Sequence, residues 1–427
     1  MADLVNTLPR GMPGYIQLLK RNPDVRNLWL AQTISQLGDW FNSVALLGLI
    51  VSLSGNPLAT SLTVVFQMLP AALTGVFLGG YVADRFDRKR VMIISDLARA
   101  VIALSFLLIR TPEWLWIAYA GTLMLSVGGA FFDPATAAAL PNLCQPGELQ
   151  TANALQQSTW ASSVFVGAAL GGVVAQAFGR DASFIANSAS FALSALFLSQ
   201  ISGRFNLSDG RQALSSTGAA RALTDGFRFL MGHRRVLLLS LTKAIWALTL
   251  GGIGLYSVYA FNRYHAGDIG TSWLYAGRGL GAFVGPLIAT SLFAPHSLRD
   301  YARTMLGAFF FCALGYAVFA VSDSAWVGAL GLAVAHLGGG SVWAFSRMAV
   351  QRETPDQLRG RVLAVDGMTF SVTTSLSTVV VGAVASASGE TLGVLSGVAA
   401  TVIATGLWLL AMRSEIRRAA AAEPRSL

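Results

Sequence analysis

Of 427 residues, 54% are hydrophobic and 12% are charged, with a net charge of +9. A soluble domain carries about 25% charge, so this composition excludes a string of soluble domains; the surplus of cations suits the flanks of membrane helices rather than nucleic acid. Two cysteines, Cys144 and Cys312, exclude a disulfide framework or a cysteine metal set.

The chain opens on MADLVNTLPRGMPGYIQLLKRNPDVRN, which lacks the short apolar core and small-residue cleavage site of a signal peptide. Residues 1–26 read as a partly amphipathic cytoplasmic segment. Apolar runs then predict twelve helices, at 27–54, 58–83, 89–110, 113–135, 148–178, 182–201, 234–262, 269–294, 301–321, 325–350, 357–387 and 391–413. About 20 apolar residues cross a hydrocarbon core, and open strands leave backbone groups unsatisfied there. The fold class expected is an all-α polytopic membrane protein, with twelve transmembrane helices in two six-helix pseudo-symmetric bundles, 27–201 and 234–413. A cytoplasmic linker, 202–233, separates them, and a tail, 414–427, follows. Of 30 Lys and Arg, 24 fall on the N-terminus and alternate loops, three on the opposite loops and three inside spans. That asymmetry puts both termini in the cytoplasm. PGELQTANALQQ at 146 and PDQLRGRVLAVD at 355 form a weak repeat, 209 residues apart, each leading into a helix. Such repeats underlie many secondary transporters, with the binding site at the midplane.

Helix 1 carries Asp39 about twelve residues, or roughly 18 Å, from its predicted start. Gln32, Gln36, Asp39 and Ser43 share one face, with Trp40 adjacent. A carboxylate so deep costs a few kcal/mol unless it is paired, hydrated or protonated. Three roles stay open for Asp39: proton carrier, counter-ion for a cationic cargo, or structural carboxylate bonded to a neighbouring helix. Helix 2 adds Thr63, Gln67 and Thr74 around Pro70; helix 7 adds Lys243 and Trp246, helix 8 Arg278, helix 10 Trp343, and helix 11 Asp366 with Thr369, Thr373 and Ser377. These are the candidates for lining a central path, with Asp366 as the second coupling or cargo carboxylate. Asp96 and Arg99, three residues apart, read as a self-neutralising structural pair, and His336 as a packing residue.

Between helices 2 and 3 stands GGYVADRFDRKRV, with six charges in seven residues from Asp84 to Arg90. This stretch resembles the signature of the major facilitator superfamily: Gly80, Asp84, Arg85, Arg88 and Lys89 fall on its positions, while Asp87 replaces the usual second Gly. The resemblance implies a cytoplasmic gate in which Asp84 faces the N-terminal end of helix 11 and Arg88 pairs with Asp133, at the end of helix 4. VGAALGG in helix 5 resembles the superfamily's antiporter element, with Ala168 in place of its Pro and with Gly167, Gly171 and Gly172 allowing close helix packing. NLWLAQTISQLGDW, ISDLARA and FIANSASFALSA resemble the branch of bacterial macrolide and siderophore exporters.

The resulting expectation is a monomeric secondary transporter in the cell inner membrane, exporting small amphipathic cargo by proton-coupled alternating access. It needs no cofactor, metal or nucleic acid, and its partners are cargo, protons and the lipid bilayer. An importer or lipid flippase on the same scaffold is the alternative. The absence of HExxH, GxSxG and GxxxxGK[ST] motifs speaks against an enzyme.

Overall fold

The structure, a computed structural model, describes residues 11–75, 78, 82, 85–203, 205, 216–292, 295 and 297–422. All regular structure among these residues is helical. The chain divides into two compact units, one of residues 1–53 with 66–219 and the other of 54–65 with 220–427.

The first unit begins with α1 (Met12–Arg21), an amphipathic helix that buries Leu18, leaves Met12 and Ile16 exposed, and carries Lys20 and Arg21 in its last turn. The Asn22 side-chain amide, just beyond it, donates to the Leu143 carbonyl at 2.9 Å and to Glu148 Oε2 at 2.8 Å. The spans that follow are α2 (Pro23–Ser54), the second part of α3 (Pro57–Thr74), α4 (Arg88–Ser105), α5 (Leu115–Leu143), α6 (Leu149–Phe178) and α7 (Arg180–Ser199). The exposed large side chains within α4, α5, α6 and α7 are mostly apolar. On α4, Ile94, Leu97, Val101 and Leu104 are exposed at helical spacing, while Asp96 and Arg99 are buried. That inversion of the soluble pattern is what lipid contact requires.

Helix α5 runs to Leu143, eight residues past its predicted end at 135. Pro134 and Pro141 both lie inside it, since neighbouring helices and side chains can satisfy the backbone groups that a membrane proline frees. Asp133 is therefore not at the helix end; it stands ten residues, about 15 Å, before it.

The second unit contains the first part of α3, then all but the first four residues of α8 (Ser216–Gly232), α9 (Arg234–Leu250), α10 (Gly267–Leu292), α11 (Leu298–Val321), α12 (Ala325–Glu353), α13 (Asp356–Ser388) and α14 (Glu390–Ala422). The linker region thus holds a helix. Gly226 of α8 lies against the Arg361 backbone, and Asp225 pairs with Arg361 at 2.8 Å. Past Leu250 the chain tightens into a 3-10 turn, Gly251–Leu255, and later widens into a π turn, Tyr259–Arg263. Gly251 and Gly254 sit there against Ser377 and Ser61. The expected tail is largely helix: α14 continues to Ala422, and Arg234 holds Ser414 at 3.0 Å and Glu415 at 3.3 Å.

Eleven of the described helices are long and apolar enough to cross a membrane. The eighth predicted span, 269–294, is also a helix, α10, but six glycines, Asp268 and Arg278 dilute its apolarity, so the count of twelve does not follow from length and composition. Those glycines have a packing role. A Cβ at Gly277, Gly281 or Gly285 would collide with the carbonyls of Ala329, Ala333 or Leu337 on α12. Small residues let backbones approach where no hydrophobic force drives membrane helices together.

Candidate functional site

In the first unit, Asp39 lies on α2 sixteen residues, about 24 Å, from the helix start. Its carboxylate Oδ2 is 4.0 Å from Arg99 Nη1. Arg99 is also bonded directly to Asp96, whose other oxygen accepts from Ser194 Oγ at 2.5 Å. The three side chains differ in access: Asp96 is fully buried, Arg99 is 6% exposed and Asp39 is 45% exposed. Rings of Phe132 and Phe191 lie 4.9 Å and 4.3 Å from the guanidinium carbon, and the missing side chain of Gly128 leaves room for the Arg99 stem. Arg99 therefore has one permanent anion inside the protein and a second at an open face.

Nearby residues hold Asp39 in position. Gly38 packs without a side chain against Ser190 and Asn187 of α7. Ser43 Oγ donates to the Asp39 carbonyl at 2.8 Å, so this hydroxyl bonds its own helix rather than the carboxylate. Gln32 Oε1 accepts from Gln156 at 2.9 Å, while Gln36 Oε1 is buried without a partner. Trp40 rests on Gly167, and Gly171 abuts the backbone of Trp40 and Phe41, with Gly172 buried beside it. Gln67 is exposed.

In the second unit, Lys243 of α9 and Asp366 of α13 form a buried ion pair, with Ser240 Oγ donating to Asp366 at 2.6 Å. Lys243 Nζ also stands 4.9 Å from the Trp343 ring centre. Trp246, Trp343 and Phe370 form an aromatic cluster with centroid separations of 5.2–6.4 Å. Asp366 is thus neutralised by a partner that no single-helix pattern revealed. Thr369 and Ser377 bond backbone carbonyls. Arg278 of α10 is partly exposed and lies 5.9 Å from the Tyr275 ring centre.

Of the expected gate residues, Gly80 and Asp84 lie outside the described residues. Arg85 is exposed. Arg88, expected to face Asp133, donates to the carbonyls of Ala138 at 3.0 Å and Phe205 at 3.2 Å. Lys89 Nζ holds the carbonyls of Ser199 and Ile201 at 2.8 Å and 2.6 Å. Cations are favourable at the C-terminal end of a helix, and here Lys89 closes α7. Asp87 caps α4, accepting from the Arg90 backbone N–H at 2.8 Å. The aspartate that departs from the superfamily pattern therefore has a local structural use, legible as an acidic residue just before a helix.

A family model described as Transmembrane secretion effector matches residues 20–426. The chain is similar to an uncharacterized MFS-type transporter, YfiS, of Bacillus subtilis, with 31% identity over 214 residues and 50% of each chain covered. It thus spans about half the length of that relative. Multidrug efflux pump Tap of Mycolicibacterium fortuitum is 24% identical over 383 residues, covering 87% of this chain and 91% of Tap. Among solved structures, a bacterial homolog of the human lysosomal transporter Spinster, inward-facing and unoccupied, superposes with a TM-score of 0.72 at 15% identity, covering 94% of this chain and 98% of that one. At that identity the likeness establishes the fold.

Proposed function

The chain belongs to the transmembrane secretion effector family, within the major facilitator superfamily, and on that premise we propose that it is a secondary transporter exporting small amphipathic molecules in exchange for protons. The names of its relatives support transport and efflux. The reading of proton coupling is carried by one observation: the half-exposed Asp39 carboxylate stands 4.0 Å from an Arg99 already bonded to buried Asp96.

That geometry suits an exchange site. When Asp39 is charged, Arg99 is shared between two carboxylates; when Asp39 takes a proton, Arg99 is left to Asp96 alone. Proton binding at Asp39 thereby changes the charge at an open face without leaving an unpaired cation in the interior. A cargo bearing a cationic or hydrogen-bond-donating group would compete with the proton for the same carboxylate. For such a site to drive alternating access, proton and cargo must favour different states, and the shared guanidinium supplies a contact that differs between them. Asp366, paired with Lys243, lacks an open face and is the weaker coupling candidate. The excess of Lys and Arg on alternate loops supports placement in the cell inner membrane with both termini cytoplasmic, and the proposed unit of transport is the monomer.

The test is proton release from purified protein when ethidium, a lipophilic cation, is added. Wild type should release protons and Asp39→Asn should not, while remaining monodisperse. Equal release from both would remove Asp39 from the coupling step.

A further inference from the structure

Arg278 stands eleven residues, about 17 Å, into α10, near the middle of the helix. Leu280, Phe283 and Leu287 form the exposed apolar stripe of that helix. At 100° per residue, Leu287 lies half a turn round from Arg278, so the guanidinium points away from the stripe and into the second unit. The guanidinium carbon lies 5.9 Å from the Tyr275 ring centre, and Tyr256, Tyr316 and His336 are among the groups within range of its charge; all four are buried. The hydroxyls of Tyr256 and Tyr316 bond one another at 2.8 Å.

Two facts distinguish this cation. Arg99 and Lys243, the other cations inside the spans, each bind a buried aspartate, whereas Arg278 has no carboxylate partner among the described residues. An ionisable group at this depth without a partner marks a functional position. Independently, polar atoms close by are buried and unanswered. His336 is 2% exposed; its Nδ1–H donates to the Leu332 carbonyl at 3.0 Å, which leaves Nε2 as an acceptor, buried and without a partner. Trp246 Nε1, a pure donor on a ring 6.4 Å from His336, is also unpartnered. His336 packs directly over Gly281, one turn from Arg278.

We propose that Arg278 is the anion-binding residue of a ligand site within the second unit, taking an oxyanion flanked by a hydrogen-bond donor. Arg278 holds the oxyanion, His336 Nε2 accepts from the neighbouring N–H or O–H, and Tyr275 lines the wall. An acylated amino acid carries that pair of groups, as does the headgroup of phosphatidylglycerol. This deepens the reading of the chain as a carrier of small molecules, and it needs no coupling ion. Its test is therefore separate from proton release at Asp39.

The experiment measures energy transfer from tryptophan to dansyl-leucine, whose sulfonamide N–H flanks a carboxylate, and to its uncharged methyl ester. The protein is held in nanodiscs of phosphatidylcholine. A charge-assisted hydrogen bond predicts at least about tenfold tighter binding of the acid. That preference should vanish in Arg278→Gln, persist in part in Arg278→Lys, and weaken in His336→Phe. The variants' thermal midpoints control for folding. Dihexanoyl-phosphatidylglycerol that displaces the acid identifies a lipid headgroup as the resident ligand; failure to displace it identifies a free solute. Equal binding of acid and ester, no binding of the acid, or a preference surviving in folded Arg278→Gln would overturn the proposal.

Discussion

The Arg99 guanidinium binds Asp96 and stands 4.0 Å from Asp39. One cation thus serves two carboxylates of opposite access, one sealed by Ser194 and one open. The sealed partner offsets the desolvation of Arg99, and the open one is the carboxylate proposed above to exchange a proton or a cargo. The second unit contains a related pair, Lys243 and Asp366, but both members are buried. The two ion pairs therefore differ in access: one has a half-exposed carboxylate at its edge, the other has none.

Asp96 should matter mainly for stability. Asp96→Leu leaves a buried guanidinium without its permanent anion, a loss of about 3–5 kcal/mol. Its thermal midpoint in detergent should fall markedly, and Arg99→Met in the same chain should recover much of the loss. A single mutant that melts with wild type would show that Arg99 finds full compensation at Asp39.

The Lys243–Asp366 pair predicts the same asymmetry without any effect on coupling. Lys243→Met alone and Asp366→Leu alone should each destabilise by a few kcal/mol, and the double mutant should lie closer to wild type. Ethidium-driven proton release should persist in the double mutant. Its disappearance in a folded double mutant would move the coupling carboxylate to Asp366.

Much of this was legible in the chain. Long apolar runs mark helices because lipid leaves the backbone no other partner, and Asp39 stands out because charge at that depth must be accounted for. What escaped the sequence were pairings between distant segments. Lys243 and Asp366 each look like solitary polar residues until α9 and α13 are packed together, and Asn22 meets Glu148 across 126 residues. The end of α5 was read eight residues too early, at 135, whereas both Pro134 and Pro141 lie inside the helix. Glycine was underread: in α10 it lowers apolarity, yet the same residues let α10 and α12 meet backbone to backbone.

Gly281 tests that contact. A side chain there would run into the Ala333 carbonyl and His336 Cβ, neither of which can move without shifting α12. Gly281→Leu should abolish accumulation of folded protein, measured as monodisperse elution of a fluorescent fusion, whereas Gly360→Ala, where a Cβ meets nothing within 4 Å, should elute as wild type. Normal elution of Gly281→Leu would mean that α10 and α12 can separate at little cost.

Cys144 reports on the junction between α5 and α6. Burial first, and then the Glu148 carboxylate, push its thiol up to about 11, against about 8.5 for a free cysteine. The thiolate is the reactive form, so a raised value means little reaction at neutral pH and a rate that climbs about tenfold per pH unit towards 11. Maleimide labelling near pH 7.5 should be on the order of a hundredfold slower than for free cysteine. Cys312, wholly buried in α11, should stay silent. Glu148→Gln removes the negative charge while leaving an oxygen to accept from Asn22, so labelling at pH 8 should accelerate. A rate flat between pH 7 and 10 would show that access, not ionisation, limits Cys144.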